Sequence, residues 1–479
     1  MRRVSFELNS DSRVFWSAFI FSAICYFVFL AFRGFGWEGD SLGSASQFMR
    51  LINPNIYPIR EPSMSTVPKF LATILFGFVY KIFGSFYALT VISIFLNSIM
   101  VAIISKWIYQ LKGHWLVSLV AIMLNITWYF EVLGCDNPAF SIPFIVIGLY
   151  LYFQKSFKMR GAFCILIGAL FRPGPELVLL FLIIYELWRK NFKLGFLSIL
   201  FVLSIANLLY GYKLGFATYQ DMMRCVNLEV LLPNGSLLER FTKSIEVYLK
   251  GIVGNIKVSG ISYLLVIPAV FGIIECFRSR NSMRFLILLA TISFIIPATT
   301  FFCNGVTALW AYYTEPLIII QVFAGFFRFE NLLSINNRRR KVCSCLLVFA
   351  CLITVITTAR RHKGYYETNP INGTGFYKNL GLTQARNAIK PKLKNDFYKV
   401  LVEYKDLLWI VLDFGDRAKS ITVVNDSEHF KRFNLNDYDI IEVPKYFISS
   451  ANVDDKVFMI TDSGVSRVMY VRRSFLKNE

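Results

Sequence analysis

The chain has 479 residues, and only 17% of them are charged, whereas soluble proteins carry about 25%. Its mean hydropathy of +0.51 excludes an ordinary soluble domain. The net charge of +20 would suit a nucleic-acid ligand, but membrane proteins also collect Lys and Arg in their cytoplasmic loops. We therefore expect membrane lipids as partners and no nucleic acid.

The cysteine and histidine content argues against a metal site and against one family of membrane enzymes. The nine cysteines are scattered without a CxxC or Cys/His spacing, and only three histidines occur. A His-rich metal site is therefore not expected. The scarcity of His also argues against membrane acyltransferases, which usually use an intramembrane histidine.

The first apolar run, Val14 to Phe32, follows Arg2, Arg3 and Arg13. It is longer than the core of a signal peptide and ends in bulky residues rather than a small-residue cleavage site. It predicts an uncleaved first membrane span with the amino terminus inside.

Five basic clusters determine the predicted topology, because all of them can face the cytoplasm only if the spans between them come in pairs. The clusters are Lys106/Lys112/His114, Lys155/Lys158/Arg160, Arg189/Lys190/Lys193, Arg278/Arg280/Arg284 and Arg338 to Lys341. The pattern predicts an α-helical polytopic membrane protein of about eleven spans. They lie near residues 14–32, 86–108, 115–131, 138–153, 161–171, 174–188, 194–211, 259–277, 284–302, 307–328 and 342–358.

Two apolar segments do not fit as ordinary spans. If Pro68 to Gly84 were a span, every later basic cluster would face outward, so we interpret it as a juxtamembrane helix on the outer surface. The stretch after Cys164 breaks at Arg172 to Pro175 and predicts two short helices. Non-helical backbone at that depth is tolerated where it lines a cavity.

The carboxyl-terminal part differs in composition from the rest of the chain. Residues 359–479 hold 35 of the 82 charged residues, within only 121 positions. A predicted helix near Thr383 to Tyr404 precedes five strand-like runs, beginning with "LLWIVLDF". We expect a transmembrane domain over 1–358, with external loops at 34–85 and 212–260, and a small external α/β domain over 359–479.

This topology collects polar residues on the outer face of the membrane. They are Glu38, Asp40, Asp136, Arg172, Glu176, Tyr312, Tyr313 and Glu315. Any one of them could be a loop charge or a helix cap, and "DNP" at Asp136 is a good amino-terminal cap. The convergence of several on one face is what indicates a functional site.

These residues carry a resemblance to the GT-C superfamily of integral-membrane glycosyltransferases, which includes protein O-mannosyltransferases and lipid A aminoarabinose transferases. The counterparts of the superfamily's motifs are Asp40 with Glu38, Pro68-Lys69, Asp136, "FRPGPE" and "AYYTEP", in order over about residues 10 to 330. The chain departs from the pattern in "EGD" for "DE", in the absence of an Arg at the start of span 2, and in Ala311 for the Arg of "RYxxP".

The resemblance implies transfer of a sugar from a polyprenyl-phosphate donor to a hydroxyl of a glycan, lipid or protein acceptor, with inversion. It implies Asp40 as the catalytic base, with Glu38 as the alternative. Asp136 would orient the acceptor or share a divalent cation with Asp40; no cofactor is otherwise expected.

The remaining site residues follow from the same resemblance. The donor phosphate would be bound by Arg172, with Lys69 or Arg60 as alternatives, because cations stabilise the leaving phosphate. The other substrate contacts would come from Glu176, Tyr312, Tyr313 and Glu315. The expected location is a bacterial inner membrane, with the active site and carboxyl-terminal domain on the periplasmic side.

Three other functions stay open at this stage. A transporter or lipid flippase also has broken helices and membrane-embedded charges, although its site would lie near the midplane and its halves often repeat. An O-antigen-type polymerase shares a large external loop but lacks an acidic first loop. A non-catalytic scaffold would leave Asp40 and Asp136 unexplained.

The topology can be tested with reporter fusions. A reporter fused after Leu111 or after Asn336 should be cytoplasmic, and one fused at Glu479 should be external, because the basic clusters fix the sidedness. A cytoplasmic reporter at Glu479 would contradict the scheme and move the predicted site residues to the wrong side.

Overall fold

The computed structural model divides the chain by its contacts into two compact units. The first comprises Met1–Phe35, Thr66–Phe70 and Tyr87–Lys363, and the second comprises Gly36–Ser65, Leu71–Phe86 and Gly364–Glu479. The structure describes residues 10–33, 39–53, 70–84, 86–135, 137–153, 157–171, 176–188, 194–213, 270–272, 274–275, 323–326, 337–368, 389–394, 396–403, 407–424, 427–444, 447, 456–459 and 467–476.

The first unit is helical throughout its described part. Its principal helices are α1 (Ser10–Arg33), α4 (Tyr87–Gln110), α5 (Trp115–Met123), α6 (Ile126–Gly134), α7 (Asn137–Phe153), α8 (Lys158–Phe171), α9 (Glu176–Trp188), α10 (Leu194–Lys213) and α11 (Asn337–Thr368). Within the described residues, three helices are long and apolar enough to cross a membrane, or four if the bent pair α5 and α6 forms one span. The protein is thus an integral membrane protein, and the count of about eleven spans stays a prediction.

The predicted span over 115–131 corresponds to two helices with a bend between them. The backbone of Asn125 leaves the helical region (φ −79°, ψ 85°), and α6 starts after it. The axes of the two helices differ by 67°. Asn125 occupies the amino-terminal cap position of α6, but its side chain makes no capping hydrogen bond.

Helices α7 and α8 pack closely because glycines face each other along their contact. A Cβ atom on Gly161 would lie 2.4 Å from the carbonyl oxygen of Gly148, so only glycine permits this approach. Near the other end of the pair, the Ser141 hydroxyl donates to the carbonyl of Gly168 at 2.8 Å. The two helices therefore run antiparallel, and the end of α8 lies beside the start of α7.

Polar contacts tie helix ends together at the basic end of this unit, where Lys158 lies. Gln110 donates to Asp11 at 2.7 Å and joins the end of α4 to the start of α1. Glu186 is buried and accepts from Tyr152 at 2.7 Å and from Lys158 at 2.8 Å. A buried carboxylate with these two partners fastens α7, α8 and α9 to one another.

The second unit contains the two helices of the first loop, α2 (Gly39–Ile52) and α3 (Phe70–Phe83), together with the carboxyl-terminal domain. That domain has strands β1 (Tyr398–Glu403), β2 (Ala418–Val424), β3 (Ile440–Pro444), β4 (Lys456–Met459) and β5 (Arg467–Arg472), and helices α12 (Leu407–Phe414) and α13 (Ser427–Phe430). The sheet order is β2-β1-β3-β5-β4, with β1 parallel to β2 and β3. Strand β5 is antiparallel to β3 and β4.

One face of this sheet forms the core of the domain. Leu401, Ile441 and Tyr470 are buried there against Phe430 of α13. Helix α12 contacts β1 and α2. The described part of the predicted α/β domain thus contains a five-stranded sheet with helices, and the first loop contributes two helices to its packing.

Two sequence predictions within this domain are wrong. The run "LLWIVLDF" is helix α12 rather than a strand, because a short apolar run does not distinguish a strand from a buried helix. The predicted helix near Thr383 to Tyr404 is also incorrect over its last part, where Tyr398–Glu403 form β1. The described structure does not cover 369–388, most of the loop at 212–260, or most of the predicted spans at 259–277, 284–302 and 307–328.

Helix α3 has 14 residues, fewer than the about 20 of a typical membrane span, and it belongs to the second unit. Gly77 packs against Phe48 so closely that an added Cβ would lie 2.1 Å from the Phe48 Cβ. The opposite face is apolar and exposed, with Ile74, Phe78 and Ile82 spaced four residues apart. These features agree with the predicted juxtamembrane helix over Pro68 to Gly84.

Asn53 fixes the turn that follows α12. Its side-chain amide donates to the carbonyl of Gly415 at 2.7 Å and to that of Ala418 at 2.8 Å, and the residue is buried. The end of α2 therefore holds both ends of the Gly415–Arg417 turn.

Replacing Asn53 with Ala should loosen this turn, because two carbonyls lose a buried donor. The expected cost is roughly 1–3 kcal/mol. Hydrogen exchange of the amides over 415–424 should become faster. The control is Asn436→Ala, which removes an exposed amide from the same domain. Equal exchange in the two variants would contradict the assignment.

Candidate functional site

The side chains of the predicted site residues lie outside what the structure describes. Asp40 is the second residue of α2 and Glu176 is the first residue of α9, and for both only the backbone is described. The others are outside the described residues altogether: Glu38, Arg60, Lys69, Asp136, Arg172, Tyr312, Tyr313 and Glu315. Their roles stay predictions, but the described chain on either side of several of them can be analysed.

The residues next to Asp136 and Arg172 lie at the same end of the first unit. Phe171 closes α8 and stacks on Phe140 and Phe144 of the first turns of α7, with ring centroids 5.3 and 5.9 Å apart. In sequence, Arg172 follows Phe171 directly and Asp136 precedes α7 directly. The structure thus brings the neighbours of these two predicted residues together, away from the basic end.

The start of α7 is fixed by an interaction that Pro143 makes necessary. Pro143 lies inside α7 and has no N–H, so the carbonyl of Ala139 lacks its usual helical donor. The side-chain amide of Asn97 in α4 donates to this carbonyl at 2.8 Å. Asn97 is fully buried, and it therefore anchors the first turn of α7 to α4.

The end of α8 is fixed in a similar way. The last four carbonyls of a helix have no partner within it, and Gly168 provides one of these four. The Ser141 hydroxyl donates to it across the contact with α7. The chain that continues to Arg172 therefore leaves α8 from a defined position.

The residue before Asp136 has an uncommon backbone conformation. Cys135 ends α6 in the left-handed region (φ 58°, ψ 36°), and its N–H donates to the carbonyl of Glu131. Its thiol lies 3.1 Å from the hydroxyl of Thr90 at the start of α4. Helices often end with a residue in this conformation, although it is usually glycine, so Cys135 defines where α6 stops and the chain turns.

Arg33 is a cation at this end that the sequence analysis did not select. It is the last residue of α1 and only 4% exposed, with its guanidinium carbon 4.2 Å from the centroid of Phe130 in α6. Glu131, the next residue of α6, is also buried. In the sequence, Arg33 is a single Arg directly after the first apolar run. An Arg at this position is also typical of the end of an ordinary membrane span, so the sequence does not single it out.

The described residues do not test the predicted metal ligands. No group of three His, Cys, Asp or Glu side chains occurs there at a spacing that could hold a metal ion. A divalent cation shared by Asp40 and Asp136 stays a prediction, because neither carboxylate is described.

The conformation of Cys135 can be tested by replacing it with valine. A β-branched residue disfavours the left-handed region, so Cys135→Val should cost roughly 1–2 kcal/mol and lower the midpoint of thermal unfolding. Cys164→Val, in the middle of α8, is the control, because helical φ and ψ angles tolerate valine. Equal midpoints of thermal unfolding for the two variants would contradict the left-handed conformation assigned to Cys135.

Comparisons with known proteins agree with this architecture. No known protein family and no curated protein matches the sequence. The structure is similar to that of ArnT from Cupriavidus metallidurans, determined bound to undecaprenyl phosphate, with a TM-score of 0.54 and 12% sequence identity. The similarity covers 97% of this chain and 99% of ArnT. The chain therefore has a GT-C-like fold, as the sequence motifs predicted.

Proposed function

We propose that this protein is an integral-membrane glycosyltransferase. It takes a sugar from a polyprenyl-phosphate donor and transfers it to a hydroxyl group of a glycan, lipid or protein at the external face of the membrane. The location we propose is a bacterial inner membrane, with the site on the periplasmic side.

The observation that carries this proposal is the fold likeness over 97% of the chain. ArnT is a GT-C lipid A aminoarabinose transferase, and its structure contains undecaprenyl phosphate. Because the likeness includes both the membrane helices and the carboxyl-terminal domain, it concerns the whole architecture. A shared fold alone does not assign a function, so the residues at the site must also suit the reaction.

The two ends of the first unit support the proposed sidedness. Lys158 and Arg160 start α8 at one end, with Lys106 in the last turns of α4. The chain next to Asp136 and Arg172 lies at the other end. Because Lys and Arg favour cytoplasmic loops, the end near Asp136 is the external one.

The proposed reaction is a single displacement at the anomeric carbon. The acceptor oxygen attacks that carbon, the bond to the phosphate oxygen breaks, and the acceptor proton passes to Asp40, with Glu38 as the alternative base. Asp40 lies in the first turn of α2, and it must be ionised to act as the base. The ionised form is the one that accepts a proton.

The departing polyprenyl phosphate needs a cation rather than an acid. We assign this role to Arg172, because a guanidinium can bind two phosphate oxygens at once. Lys69 and Arg60 are further candidates from the first loop. Arg33 adds a buried cation at the same end of the first unit as the chain next to Arg172.

The remaining residues contact the substrates in this proposal. Asp136 orients the acceptor hydroxyl, and the corner at Cys135 fixes the backbone that leads into it. Glu176, Tyr312, Tyr313 and Glu315 provide hydrogen bonds to the sugar.

The base can be tested by Asp40→Asn, with transfer measured from a polyprenyl-phosphate sugar donor in liposomes. The change is nearly isosteric, so the protein should fold, and loss of the base should lower the rate by about 10²–10⁴. Glu38→Gln is made in parallel because "EGD" offers two carboxylates.

The matched control is Asp11→Asn, the same change at the end of the first unit where Lys158 lies, which should keep full activity. Full turnover in both Asp40→Asn and Glu38→Gln would show that the base is elsewhere. If the wild type never consumes a lipid-linked sugar but moves a solute or lipid across the bilayer, the transporter alternative replaces this proposal.

A further inference from the structure

The second unit contains a cavity that the proposed catalytic residues do not use. Its volume is about 450 Å³. It is lined by the end of α3, by α12 with the turn after it, and by residues on either side of the start of β1. Cavities of roughly 300–1,000 Å³ are typical of sites for small ligands.

The cavity is lined by apolar side chains and by hydrogen-bonding groups that carry positive and negative charge. Met49, Leu393 and Phe414 provide apolar surface. The charged groups are two carboxylates and two cations, at Asp413, Asp416, Lys81 and Arg417. Such a balance favours a neutral ligand with many hydroxyls over a phosphate, which would need an excess of positive charge.

Two interactions hold these groups in place before a ligand arrives. The Tyr80 hydroxyl donates to the Asp413 carboxylate at 3.0 Å, and Asp413 is only 4% exposed. Asn53 holds both ends of the turn that presents Asp416 and Arg417. A preorganised set of polar groups binds more tightly, because little side-chain freedom is lost on binding.

A tyrosine completes the polar wall. Burial raises the pKa of Tyr398, opposed by the neighbouring Arg417, so its hydroxyl remains protonated at neutral pH. This hydroxyl donates to the carbonyl of Lys394. Tyr398 is fully buried and interacts with the exposed Arg417, so it positions the guanidinium that lines the cavity.

We propose that this cavity binds a neutral sugar unit of the acceptor. Planar polar side chains that both donate and accept match the hydroxyl groups of a sugar ring, and the apolar side chains match its C–H face. The identification of the ligand as the acceptor rests on the proposed function.

The test is saturation-transfer NMR on the full chain in nanodiscs, with maltose, cellobiose, mannobiose and chitobiose as probes and no donor. At least one of these neutral disaccharides should bind. Arg417→Gln and Asp416→Asn, at partly or fully exposed positions, should each weaken binding roughly tenfold, since each removes a hydrogen bond involving a charged group. Lys419→Gln is the matched control, because it removes an exposed charge two residues from Arg417 outside the cavity.

Three outcomes would overturn the proposal. They are no binding of any probe to the wild type, unchanged binding in Arg417→Gln, and displacement of the sugar by millimolar inorganic phosphate. In the transfer assay, Arg417→Gln should raise the acceptor KM more than it lowers kcat. Disaccharide binding needs no donor, so its failure is distinguishable from a failure of the wild type to use a lipid-linked sugar.

Discussion

Inside a lipid bilayer a backbone carbonyl has no water to accept from, so one that loses its helical partner must find another within the protein. Two carbonyls at the same end of the first unit are in this position. Ala139 loses its donor to Pro143 and accepts from Asn97, and Gly168 near the end of α8 accepts from Ser141. These bonds fix the helix ends from which the chain continues to the predicted site residues.

The same end contains the features that cost free energy and therefore need a reason. Cys135 adopts a left-handed conformation directly before Asp136, and Arg33 is a buried cation. In the proposed reaction, negative charge develops on a phosphate and a proton leaves a hydroxyl, and a cation and a defined backbone at this end suit both events.

The second unit links the first loop to the carboxyl-terminal domain. Helix α2 begins next to the proposed base Asp40 and ends at Asn53, which holds the turn presenting Arg417. One short helix therefore connects the proposed base with the wall of the proposed sugar cavity.

The amino-acid sequence was sufficient to predict the membrane class and most helix positions in the described part of the first unit, because these follow from long apolar runs and basic clusters. The GT-C-like fold was predicted from the resemblance of ordered motifs to a known superfamily. The sequence also separated the carboxyl-terminal domain by its charge content. It could not assign Leu407–Phe414 to a helix, because a short apolar run is compatible with either structure until its packing partners are known. Only the tertiary structure showed that Asn97 compensates for Pro143, that Arg33 is buried against Phe130, and that α2 and α3 join the carboxyl-terminal domain. Each of these contacts joins residues that are far apart in the chain, and a local sequence pattern does not predict such contacts.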